Sequence, residues 1–289
     1  MSNTSEGLEQ AQLQVPRKIH QIYLSGDAPE RLSRNVAEHV ARNPGWKHNL
    51  YDAAAAEAFV QENYPPEVLR AYRRINSEYG AARSDLLRHL ILYREGGVYL
   101  DIKSEIVRPL DEVLRPGDTY ILSQWRNGPG APEEGFGLHH DLSGVPGGEY
   151  HTHVIIAVSG HPFSRAAIDR ILANIEAYRP WSAIGRTGVL RTTGPIAYTL
   201  AIHPLLKDTP HRLVQESEIG SRLSIVDYDH AATFKRHYST LRTPVVDLPP
   251  AGRWASRAFV RLRELKALTS RDVVQDGRSE GPSRGGPPA

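Results

Sequence analysis

The stretch from Tyr79 to Lys103, YGAARSDLLRHLILYREGGVYLDIK, constrains this chain more than any other. Leu86, Leu87, Leu90 and Ile91 recur at the spacing of one helix face turned towards a core. Gly96 and Gly97 stop that helix. From Val98 to Val107 the pattern alternates with the period of a strand, placing Tyr99, Asp101, Lys103, Glu105 and Val107 on one face. A helix therefore runs directly into a strand whose polar residues share a side.

The segments before it predict more of the same. The apolar run Ile19 to Leu24, flanked by Pro16 and Gly26, suits a buried strand. A helix over Glu30 to Ala41 and a short strand over Trp46 to Tyr51 follow, and Asp52 is placed to cap the alanine-rich helix after it. This β-α-β-α order favours a parallel sheet. Asn127 to Gly148, rich in Gly, Pro, Glu and His, reads as a long loop of the kind that covers an active site. A strand over His153 to Val158 and a helix over Pro162 to Tyr178 come next.

Composition narrows the function classes. With 35 Lys and Arg against 33 Asp and Glu, no broad cationic field draws the chain to nucleic acid. The small basic surplus belongs to residues 251–289, where eight basic side chains meet four acidic ones. There are no cysteines, which removes disulfides, thiolate metal sites and cysteine nucleophiles. The polar start lacks a secretory pattern and no apolar run is long enough to span a bilayer, so the expectation is a cytoplasmic protein or a membrane-peripheral one. The expected organisation is a flexible N-terminus (1–14), one catalytic domain (15–250), a basic amphipathic helix (251–275) and a disordered tail (276–289).

Asp85 and Arg88, three residues apart, share one side of the helix, so a carboxylate and a guanidinium can together hold a polar ligand in a fixed orientation. An ordinary helix-surface ion pair has the same spacing. Asp101 comes near the carboxyl end of its strand, the edge where open α/β sheets bind ligands.

Ser84, Asp85, Arg88, Tyr93, Gly96, Gly97, Tyr99 and Asp101 together resemble the donor-binding core of glycosyltransferase family 32, which has a DXD sugar-binding region and includes yeast-type mannosyltransferases. The large clostridial glucosylating toxins are related. KIHQIYLSG, Lys18 to Gly26, resembles the family's opening strand, and TTGPIAYT, Thr192 to Thr199, a later block near the sugar. The resemblance implies a GT-A-like, Rossmann-like α/β fold with a mostly parallel sheet flanked by helices. It implies a retaining hexosyltransferase that uses a nucleotide-sugar donor and a glycan, lipid-linked or other hydroxyl acceptor, in a setting such as polysaccharide biosynthesis. Carried over by position, Asp85, Arg88 and Asp101 are the catalytic candidates. Tyr23, Ser84, Tyr99, Lys103 and Gly194 join them in donor binding, with Tyr23 near the base.

The family's aspartate pair appears here as Asp101, Ile102, Lys103. Either Mn2+ or Mg2+ is held by Asp101 with Glu105 or His237, or Lys103 itself neutralises the diphosphate and no metal is needed. Two other function classes stay open. His139, His140, Asp141, His151 and His153 could form the metal cluster of a hydrolase, and a broken aspartate pair would also suit a sugar-binding module without turnover. Arg257 to Leu268 reads as a helix packed on its own domain or as one that lies on anionic membrane.

Overall fold

The computed structural model describes residues 13–226 and 238–262. Strand β1 (Lys18–Ile22) leads into helix α1 (Glu30–Arg42), with Glu30 in the first turn and Arg42 in the last, both complementing the helix dipole. Strand β2 (Lys47–Tyr51) is followed by α2 (Ala53–Asn63), whose first turn is closed by the Asp52 carboxylate accepting from the Ala55 N–H at 2.8 Å. Helices α3 (Pro66–Arg74) and α4 (Gly80–Glu95) complete the first half, and α4 runs into β3 (Gly97–Leu100).

The glycines between α4 and β3 do more than stop the helix. Gly96 and Gly97 have φ of +62° and +101°, and a Cβ on Gly97 would lie 2.6 Å from the Lys18 carbonyl oxygen. His20 Nε2 meets the Gly96 carbonyl at 3.0 Å. The junction is thus pressed against β1, and β3 starts in register beside it.

The expected strand to Val107 ends at Leu100. Asp101 to Ser104 form a turn closed by the Ser104 N–H on the Asp101 carbonyl at 2.8 Å. Asn35 Nδ2 donates to the carbonyls of Ile102 and Ser104, and Ser104 Oγ donates to the Leu223 carbonyl, so side chains satisfy backbone groups that a sheet partner would otherwise take. Ile102 packs with Leu32 and Val226 in a small separate core. The chain then forms β4 (Glu105–Ile106), and Asp101, Lys103 and Glu105 do not share a strand face.

Helix α5 (Leu110–Val113), β5 (Tyr120–Ser123), β6 (Val154–Ala157), α6 (Pro162–Glu176), α7 (Gly185–Thr192), α8 (Pro195–Ile202), β7 (Arg212–Val214), α9 (Glu216–Ile219) and β8 (Ser221–Arg222) follow. The main sheet has the order β2-β1-β3-β6-β5-β7, with β6 antiparallel to both neighbours and every other pair parallel. A two-stranded sheet joins β4 to β8. Alternation sorts the strands onto two cores: Tyr99, Tyr120, Leu122 and Ile155 face α4, α6 and α8, whereas Val98, Leu100, Ile121 and Ile156 face Leu110, Val113 and Ile219.

Residues 250–262 are helical, with Trp254 and Leu262 exposed. Leu265 and Leu268, which the amphipathic reading needs, lie outside the described residues. Among the described residues no helix is long and apolar enough to cross a membrane.

Candidate functional site

Because β6 alone runs backwards, its start lies at the edge where β1, β3, β5 and β7 end. Asp101, at the tip of β3, donates its N–H to the His153 carbonyl at 2.8 Å, and Arg88 Nη1 on α4 donates to the Thr152 carbonyl at 2.6 Å. The other terminal nitrogen faces two carboxylates. Arg88 Nη2 lies 2.9 Å from Asp85 Oδ1 and 3.5 Å from Asp101 Oδ1. Its Cζ sits 4.6 Å from the centre of the Tyr99 ring, a cation–π contact, while the Tyr99 hydroxyl donates to Asp101 Oδ1 at 2.6 Å.

A third segment closes this cluster. Thr193 Oγ1 donates to Asp85 Oδ2 at 2.9 Å, and a Cβ placed on Gly194 would come within 3.5 Å of the same oxygen. The block from Thr192 to Thr199 therefore meets Asp85 directly at the start of α8. Burial pushes the Asp85 carboxyl above its usual range, against the opposing pull of Arg88 and Thr193, and burial also raises the Tyr99 phenol well above its ordinary value.

Exposure grades across the cluster: the side chains of Arg88 and Asp85 are 6% and 9% exposed, that of Asp101 22%. Asp101 is thus the member that reaches solvent, with the ion pair beneath it. Two carboxylates around one guanidinium carry a net negative charge, which suits hydroxyl donors. It does not suit a diphosphate, whose charge needs a cation from elsewhere.

The remaining candidates divide. Ser84 is half-buried and its carbonyl accepts from Arg88 Nε at 3.4 Å. Tyr23 follows β1 and packs on the small core with Ile102. Lys103 is half-buried in the turn, and its carbonyl accepts from the Ile225 N–H at 2.8 Å. Glu105 lies opposite Arg222 in the small sheet, its carboxylate 3.0 Å from that guanidinium. His237 lies outside the described residues. Among the described residues the tip therefore offers Asp101 alone, already engaged by Tyr99 and Arg88 and followed by an ammonium, which does not fit the several oxygen ligands of a hard divalent ion.

The histidines resolve into separate groups. His139 Nε2 pairs with Glu149 at 2.9 Å within the loop, and Asp141 pairs with Arg191 at 3.0 Å. His151 and His153 instead converge on Glu216, at the start of α9, at 3.2 and 3.0 Å. Burial, reinforced by His153, lowers the His151 pKa to about 3, so the ring is neutral. Burial alone would raise the Glu216 carboxyl, but the two imidazoles and Arg126 bring it below its usual range. Glu216 is far from the histidines in sequence, and no spacing rule singles it out. Thr193 was at least inside a quoted block.

Part of the chain is similar to known proteins. Residues 29–120 match the family model described as a glycosyltransferase sugar-binding region containing DXD motif. The chain carries a glycosyltransferase sugar-binding region. That region holds α4, the glycine junction, β3 and Asp101. Inositol phosphoceramide mannosyltransferase 1 of Schizosaccharomyces pombe is 33% identical over 113 residues, covering 37% of this chain and 34% of that protein. Mannosyl phosphorylinositol ceramide synthase CSH1 of Saccharomyces cerevisiae is 29% identical over 103 residues, covering 35% of this chain and 26% of that protein. The aligned stretch thus spans about a third of these relatives' length or less. The UDP-bound glycosyltransferase domain from the YGT toxin has a similar fold, with a TM-score of 0.50 at 9% identity over 74% of this chain and 82% of that one. The sugar-binding region accordingly sits in a GT-A-type α/β scaffold.

Proposed function

We propose that this protein is a retaining glycosyltransferase that moves a sugar from a nucleoside-diphosphate sugar to an acceptor hydroxyl. The observation that carries the reading is the buried Asp85–Arg88 pair beneath the solvent-reaching Asp101, at the ligand edge of an α/β sheet and inside a glycosyltransferase sugar-binding region.

In this reading Asp85 accepts hydrogen bonds from sugar hydroxyls, with Thr193 and Arg88 holding its two oxygens in place. Asp101, oriented by Tyr99, contacts the donor nearer the reacting bond. The bond from the anomeric carbon to the diphosphate breaks, a bond from that carbon to the acceptor oxygen forms on the same face, and the acceptor proton is released. Tyr23 and Ser84 belong to the donor side of the site, and Lys103 supplies positive charge near the phosphates.

Incubating the full chain with a panel of nucleotide sugars, and scoring released nucleoside diphosphate, tests the reading. Mannosyl donors come first because the relatives are named as mannosyltransferases, and UDP-sugars second because the toxin domain was solved with UDP. Release with one donor class that Asp101→Asn abolishes is the expected result. Binding without release from any donor would instead indicate a sugar-binding module.

A further inference from the structure

A second cluster of titratable side chains lies one strand away from Asp85, Arg88 and Asp101. His151 and His153 lead into β6, Glu216 follows β7, and their candidate ligand atoms all lie within 4.8 Å of one another. We propose that His151, His153 and Glu216 bind a divalent transition-metal ion at the carboxyl edge of the sheet.

Donor chemistry supports the class of ion. Two imidazoles and one carboxylate suit zinc, manganese, iron or cobalt, whereas magnesium and calcium favour all-oxygen sites. Spacing supports a shared ion. Glu216 Oε1 is 3.0 Å from His153 Nε2 and 3.2 Å from His151 Nδ1. Ligand atoms bound at about 2.1 Å around one centre are themselves about 3.0–3.4 Å apart.

The alternative is a plain imidazole–carboxylate network, and the hydrogen bonding argues against it. Glu216 Oε1 and His153 Nε2 are both buried without a hydrogen-bond partner, although they are only 3.0 Å apart. The atoms are close, but the pair does not meet the geometry of a hydrogen bond although His153 still pulls the Glu216 carboxyl down. Two orphaned polar atoms that face each other are costly in a folded chain, and a cation between them removes that cost.

The surroundings are those of a metal site with access. The Trp125 ring packs edge-on against His151 at 4.4 Å, which holds the imidazole in place, and the Ser123 hydroxyl, 3.0 Å from Nδ1, would turn aside when that nitrogen takes the ion. Glu216 also lines a cleft of about 190 Å³ with Trp125, Arg126, Ser217 and Ser221, so the carboxylate side of the site is the one that borders solvent. The site does not depend on the transferase reading, because its occupancy is measured without any donor.

The test uses the full chain without a histidine tag, stripped with a chelator and titrated with Co2+ and with Zn2+ by calorimetry and by Co2+ visible absorption. One ion per chain is expected, with cobalt bands of an imidazole-containing site. His153→Asn and Glu216→Gln, checked for folding by circular dichroism, should weaken binding at least about tenfold, whereas Asp101→Asn should not. A rise in Tm of the unaltered chain with Zn2+ gives a reading that needs no variant. Absence of stoichiometric binding, absence of that rise, or binding that survives in folded Glu216→Gln overturns the proposal. Equal loss in Asp101→Asn and Glu216→Gln also overturns it, by moving the ion to the strand tip.

Discussion

The Tyr99 hydroxyl donates to Oδ1 of Asp101 at 2.6 Å, so a residue inside the core fixes the orientation of the one cluster carboxylate that reaches solvent. Both side chains leave β3 and its tip on the same side, two residues apart, which is what makes the bond possible.

Tyr99→Phe removes that donor and leaves the ring in place under Arg88. Losing a hydrogen bond to a charged group corresponds to about 1.5–3 kcal/mol, so donor turnover should fall roughly ten- to hundredfold with the far-ultraviolet spectrum unchanged. Steady-state kinetics on the donor found active in the nucleotide-sugar panel measures it, and undiminished kcat/KM would remove Asp101 orientation from the account.

Arg88→Met leaves Asp85 buried without its counter-charge, and should cost about 3–5 kcal/mol of stability by urea denaturation. Asp85→Asn combined with Arg88→Met should recover much of that loss while turnover stays absent. If the double variant is no more stable than the single one, the pair is not coupled as its 2.9 Å separation indicates.

Gly97→Ala puts a methyl group 2.6 Å from the Lys18 carbonyl at a φ of +101° and should destabilise by several kcal/mol, on the order of 3 or more. Gly26→Ala is the comparison, since its φ is +88° but nothing lies within 4 Å of the added carbon. Similar urea midpoints for the two variants would show that close approach to β1 contributes little.

Acid should weaken the fold through its buried histidines. Burial lowers the pKa of His20 and of His39 to about 4, against 6.5 when unfolded. With depressed native pKa values, the unfolded chain binds protons that the native chain refuses, so stability is complete above pH 6.5 and declines as pH falls towards 4. Each histidine contributes a slope of about 1.4 kcal/mol per pH unit within that window. Urea midpoints measured from pH 8 to 4.5 should show it, and His39→Asn should have the shallower slope.

The α4–glycine–β3 core was legible because periodicity, glycine and a strand-end aspartate each have a local signature. Asp52 as a cap was legible for the same reason. The strand from Val98 to Val107 was not, since alternation continues through Ile102 and Ser104 although Asn35 and Leu223, distant in sequence, draw that backbone into a turn. His151 and His153 stood out by spacing, but Glu216 joins them only through the placement of β7, and Thr193 reaches Asp85 only through the packing of α8 on α4. Contacts between segments far apart in the chain leave no periodic trace.

The reversed direction of β6 has a consequence for how this molecule can vary. A strand that arrives at the working edge, where its neighbours depart, lets the loop before it deliver side chains beside theirs without any crossover over the opening. The largely exposed residues 128–141 can therefore change length or content and alter what the opening admits, while Asp101 stays tied to the His153 backbone and the sheet beneath keeps its register.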